Sequence, residues 1–95
     1  MKTETIGNEL AKAREEIDSI DGALVQILDR RLDMALAIGK FKQKNKLPIF
    51  NEAREKQVLA KAQFARNSAA VEQILRAILN VSKLIQAKTS LEAKI

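Results

Sequence analysis

Arg31 stands in a row of positions that otherwise holds only apolar side chains. The row is Leu10, Ala13, Ile17, Ile20, Leu24, Ile27, Arg31, Met34, Ile38 and Phe41, spaced alternately three and four. That spacing describes the seam of a long amphipathic helix. A guanidinium does not shed its charge, and burying it unpaired in such a seam costs on the order of several kcal/mol. An anionic group is therefore expected to meet Arg31. Lys42 lies eleven positions further on and returns to within about 20° of the same face, about 16 Å along the axis. Two long cationic side chains leaning together across that gap suit a small dianion. Arg14 neighbours the seam at Ala13 but lies about 25 Å from Arg31 along the axis. Those two cannot reach one small ligand from a single straight helix, so Arg14 could serve that site only from a partner chain.

Further along, Ser82 and Gln86 are spaced i, i+4 on a stripe that continues Leu75 and Leu79. Neither residue is favoured on a buried face, and a buried Gln brings two donors and an acceptor that must find partners. Arg54 and Glu55 open the short segment that follows Pro48. Taken singly, each of these residues has a plainer reading. Arg31 could snorkel to solvent, and Lys42 could belong to a solvated row with Lys40, Lys44 and Lys46. Ser82 and Gln86 could be a polar rim, and Arg54 and Glu55 first-turn surface pairs. The functional reading rests on the whole set.

The elements that must position this set are helical. A first helix is expected from about Asn8 to about Asn45; Gly22 and Gly39 within it each cost up to about 1 kcal/mol against Ala, or else mark close approach by another helix. Pro48 breaks the pattern and restricts Leu47 as well. Asn51 suits the N-cap of a short second helix, with Glu52 and Glu55 near its positive end; its apolar face is Val58, Leu59, Ala62 and Ala65. Arg66-Asn67-Ser68 reads as a turn, with Asn67 or Ser68 capping a third helix that carries Val71, Ile74, Leu75, Ile78, Leu79, Val81 and Ile85. From Lys88 onward the tail is expected to fray. No segment alternates as a strand and no internal repeat is present. The fold class is thus all-α, a single domain over residues 1–95 built from long, short and medium helices. A first helix of about 36 residues would span about 54 Å, more than shorter partners can cover. The remedy is a second copy, giving an intertwined helical homodimer.

Composition narrows the chemistry. The 95 residues include 17 basic and 12 acidic side chains, a net charge of +5. That balance suits a nucleic-acid surface or an anionic small molecule. The absence of cysteine excludes disulfides, cysteine-based metal sites and a thiol nucleophile. Histidine is absent too, which removes the commonest metal ligand and general base. With few aromatics the core must be aliphatic, and a chain this small enlarges such a core by oligomerising. Met1 to Gly7 lack an apolar signal core, and no stretch approaches the roughly 18 apolar residues of a membrane span. A cytoplasmic location and no membrane partner are expected.

The ordered strings Arg14-Glu15-Glu16-Ile17 through Ile20-Asp21, Leu28-Asp29-Arg30-Arg31-Leu32 and Ile38-Gly39-Lys40-Phe41-Lys42 resemble the all-helical chorismate mutases. So do Leu47-Pro48-Ile49, Asn51-Glu52-Ala53-Arg54-Glu55 and Ser82-Lys83-Leu84-Ile85-Gln86. The resemblance covers about residues 8 to 88. It implies an intertwined dimer of three-helix chains in which the partner supplies Arg14, while Arg31, Lys42, Arg54, Glu55, Ser82 and Gln86 come from the chain itself. Asn51 stands where the family often has Asp, at a position that contributes largely through its backbone. The implied reaction turns chorismate into prephenate in aromatic amino-acid biosynthesis. It is a unimolecular rearrangement needing no nucleophile, metal or cofactor. Arginines would hold the two carboxylates, and Lys42 and Gln86 would donate to the ether oxygen as negative charge gathers there. Glu55 would accept the ring hydroxyl proton, Arg54 would brace the ring end, and Ser82 would hydrogen-bond a carboxylate.

Isochorismate-pyruvate lyase looks similar around Arg14, Arg31 and Lys42, but the stretch from Leu47-Pro48 into Glu52-Ala53-Arg54-Glu55 fits the mutase pattern better. A basic helical dimer binding nucleic acid through Lys40, Lys42, Lys44 and Lys46 would be a different class. Against it, aromatic interleaving and a helix-turn-helix signature are missing, and the key arginine lies on the seam. A purely structural coiled-coil adaptor would leave Arg31 unexplained.

Overall fold

Three α-helices follow one another with short connections in the computed structural model, which describes residues 2–93 and the side chains of residues 3–88. Helix α1 is Lys2–Lys44, α2 is Glu52–Ala60, a 3-10 turn covers Lys61–Phe64, and α3 is Ser68–Ala93. Among the described residues there is no strand. The long, short, medium order expected from the sequence is the one found. Helix α1 begins six residues before Asn8, because no proline interrupts the leading segment and Gly7 is a cost of about 1 kcal/mol rather than a barrier. At the other end α3 runs beyond Lys88 to Ala93, where fraying was expected; Lys94 and Ile95 lie outside the described residues.

The chain divides into two units, one ending at Arg31 and the other beginning at Leu32. The described residues of the first unit, 2–31, are all helix. From Thr3 to Ile27 every side chain is exposed, while Leu28 and Arg31 are half-buried. The seam is therefore open to solvent in the single chain, with Ile20 63% and Leu24 46% exposed. A Cβ at Gly22 would meet nothing within 4 Å. Among the described residues, no close approach is made at that glycine.

The second unit holds the core. Val58 of α2, Ala62 of the 3-10 turn, Leu79 of α3 and Ala35 of α1 are its buried apolar side chains, and Gly39 is buried with them. Full burial of a Val or Leu stabilises by about 1.5–3 kcal/mol, so Val58 and Leu79 contribute more to this core than its two alanines.

Two connections set the geometry of this unit. Helix α1 ends with Lys46 in the left-handed region at φ 55. Leu47 N donates to Lys42 O at 2.8 Å and Lys46 N to Gln43 O at 3.3 Å. This is the paired-bond helix ending in which glycine usually occupies the left-handed position; here a lysine does. Asn51 caps α2 as expected, its side chain accepting from Arg54 N at 3.0 Å. The apolar face expected to run from Val58 to Ala65 on one α-helix changes character at Lys61. There a single 3-10 turn tightens the chain, Ala65 N donates to Ala62 O at 3.0 Å, and Ala65 is extended. Only two residues then separate Ala65 from Ser68, where α3 starts.

Candidate active site

Lys42, in the last turn of α1, is the centre of the polar set in the second unit. Its backbone carbonyl accepts from Leu47 N, so the helix ending that turns the chain also pins Lys42. Its ammonium donates to Ile49 O at 2.7 Å and to Gln86 Oε1 at 2.9 Å. The first bond ties the side chain to the loop before α2, and the second ties it to α3. An ammonium has three donors; the two bonds to described residues leave one for a ligand. Because Gln86 Oε1 accepts from Lys42, the donor half of that amide faces the other way. Gln86 is only 9% exposed and Ser82 5%, so the i, i+4 pair does lie on a buried stripe with Leu79. Ser82 Oγ donates to Ile78 O, one turn earlier, at 2.9 Å.

Helix α2 presents the remaining groups. Asn51 is exposed, and both its side chain and its carbonyl serve the helix start, the latter accepting from Glu55 N at 3.0 Å. Arg54 is exposed and reaches along its own helix to Gln57 Oε1 at 3.3 Å. Glu55 is half-buried and pairs across to α3, where Lys83 Nζ lies 3.1 Å from its Oε2. The same ammonium stands 5.1 Å from the centre of the Phe50 ring, a favourable cation–π placement.

Within the second unit Lys42 is thus bonded to Gln86 and Glu55 is paired with Lys83, the neighbour of Ser82, with Asn51 and Arg54 at the start of the helix that carries Glu55. Arg14 and Arg31 belong to the first unit, where Arg14 is exposed and Arg31 half-buried. Two participants carry no mark in the sequence. Lys83 reads there as one more basic residue beside Ser82, and the Ile49 carbonyl is invisible to any reading of side-chain types. Only Pro48, which forces the chain away from the helix, hints that a backbone oxygen is turned toward Lys42.

The second unit is all-helical among the described residues, and a buried polar residue of α3 is tied in it to a lysine at the end of α1. The description that matches the chain is chorismate mutase type II, over residues 13–87, and the chain belongs to that family. It is 32% identical over 80 residues to 3-dehydroquinate dehydratase of Pyrobaculum aerophilum, a match to 84% of this chain and 25% of that protein. The chain therefore spans a quarter of that relative's length. It is 28% identical to 4-amino-4-deoxychorismate mutase of Streptomyces venezuelae, over 92% of this chain and 93% of the relative. Among solved structures, a conserved hypothetical protein from Pyrococcus furiosus matches with a TM-score of 0.72 and 40% identity, covering 81% of this chain and 93% of that one. Among the described residues no helix is long and apolar enough to cross a membrane.

Proposed function

We propose that the chain catalyses the rearrangement of chorismate to prephenate, as a homodimer in which each copy lends Arg14 to the other's site. The observation that carries this reading is the 2.9 Å bond between Lys42 and Gln86, made at a buried position by residues far apart in sequence. That bond fixes two groups that donate at neutral pH, the Lys42 ammonium and the Gln86 amide, and both are assigned to an ether oxygen that gains negative charge as its C–O bond breaks. Preorganised donors of this kind act without reorganising at the moment of reaction. Arg31 and the partner's Arg14 are assigned to the two substrate carboxylates, which guanidinium groups hold in bidentate geometry. Ser82 adds a hydrogen bond to one carboxylate. Arg54 and the backbone at Asn51 are assigned to the ring end, and Glu55 accepts a hydrogen bond from the ring hydroxyl. Restraining the substrate in its folded conformer contributes several kcal/mol more, on the order of what orientation alone can supply.

The second copy has support from the small core and the open seam of α1. Apolar side chains from Leu10 to Ile27 would be covered by the same face of another α1, the self-complementary arrangement of a two-fold dimer. A cytoplasmic location goes with this reading. The test is the loss of chorismate absorbance on adding purified protein, with the oligomer measured alongside by light scattering. Turnover by a dimer is the expected result. A protein that leaves chorismate unchanged, or that turns it over as a monomer, overturns the proposal in the corresponding part. Release of pyruvate from isochorismate, in place of prephenate formation, would assign the lyase activity instead.

A further inference from the structure

We propose that Lys83 is a positioning residue that sets substrate choice, making the Glu55 corner accept a ring hydroxyl and reject an ammonium at the same ring carbon. The inference rests on the reading of Glu55 as the group that meets that substituent. Lys83 reaches from α3 to two groups at once. Its ammonium lies 3.1 Å from Glu55 Oε2 and stands over the Phe50 ring at 5.1 Å, and its neighbour along the helix, Ser82, is buried. One carboxylate oxygen of Glu55 is therefore engaged by a cation before any ligand arrives, and the other is the one left to receive a proton donor.

The charge consequence follows from the geometry. A bare carboxylate at this corner would attract an ammonium far more than a hydroxyl. With Lys83 in place the corner is already neutralised. An ammonium on the second oxygen of Glu55 would sit about 5 Å from the Lys83 nitrogen, where two positive charges repel. The pair is partly solvated, with side-chain exposures of 32% for Lys83 and 22% for Glu55, so screening holds the effect to about a tenfold preference. A hydroxyl is neutral and pays no such penalty, and it gains from a carboxylate held in one rotamer.

The experiment compares kcat/KM for chorismate and for 4-amino-4-deoxychorismate, in which an ammonium replaces the ring hydroxyl. It uses the full chain and three variants. Lys83→Met keeps the aliphatic stem over Phe50 without the charge; Lys83→Gln keeps a hydrogen bond to Glu55 without the charge; Lys83→Arg keeps the charge. The expected result is that Met and Gln each raise the amino-to-hydroxyl ratio about tenfold, seen mainly in KM for the amino compound, while Arg leaves the ratio near that of the unaltered protein. If Met disturbs folding, the Gln variant carries the comparison. A ratio within twofold of the unaltered protein in the Gln variant overturns the proposal, as does an equal shift in Arg. Failure of the unaltered chain to turn over chorismate would instead overturn the reading of the site itself, and this inference with it.

Discussion

Replacing Gln86 by Glu probes the chemistry most directly, because it changes one atom group and inverts when that group can donate. A Gln amide donates at every pH, whereas a carboxyl donates only when protonated. Two opposing effects act on the new carboxyl. Lys42 lies 2.9 Å from the Oε1 of Gln86, and an ammonium that close favours the ionised form, which cannot donate. Burial at a position only 9% exposed favours the neutral form, which can. Losing a donor to the developing oxyanion costs about 10²–10³ in rate, so with Lys42 holding the carboxylate Gln86→Glu should lose that much at neutral pH. Its activity should rise as the pH is lowered and the carboxyl takes up its proton. The assay is chorismate absorbance from pH 4 to 8, with circular dichroism at each pH to verify folding. Gln86→Ala should lose the same activity with a flat profile. A Gln86→Glu profile parallel to that of the unaltered protein, or an alanine variant that keeps full rate, would refute the donor role.

Lys42→Ala should lower kcat by about 10²–10³ with a smaller change in KM; a kcat within tenfold of the unaltered protein would remove Lys42 from the reacting end. Lys46→Gly should stabilise the fold by about 0.5–1 kcal/mol, since a left-handed lysine costs about 1–2 kcal/mol and glycine's looser unfolded chain returns part of the gain. Thermal melting tests it, and an unchanged or lower Tm would contradict the helix ending described. Ile20→Asp places a charge in the middle of the exposed seam and should convert the dimer to a monomer in sedimentation equilibrium; a variant that still dimerises would show that this face is not the interface.

Secondary structure was legible because it depends on short-range periodicity and on residues with special backbones. The alternation of three and four from Leu10 to Phe41, the break at Pro48 and the cap at Asn51 act within one or two turns, so a linear reading captures them. Ser82 and Gln86 were legible for a related reason: polar residues on an apolar stripe stand out before any packing is known. The helix boundaries were less so. The start of α1 at Lys2 and the 3-10 turn at Lys61–Phe64 depend on how weak local preferences sum, and on how tightly the next helix must follow.

What the sequence by itself determined was an all-helical chain with an apolar seam, a cation within that seam and a polar pair on the apolar stripe of α3; that the pair is buried came from the structure. These follow from spacing and residue type alone. Which partner each polar group takes was decided by the tertiary structure. The separation of 44 positions between Lys42 and Gln86, and the crossing from Glu55 on α2 to Lys83 on α3, are spanned only once the loop and the 3-10 turn have fixed where the helices meet. A hydrogen bond acts over about 3 Å. No pattern along a chain encodes a distance that short between segments so far apart.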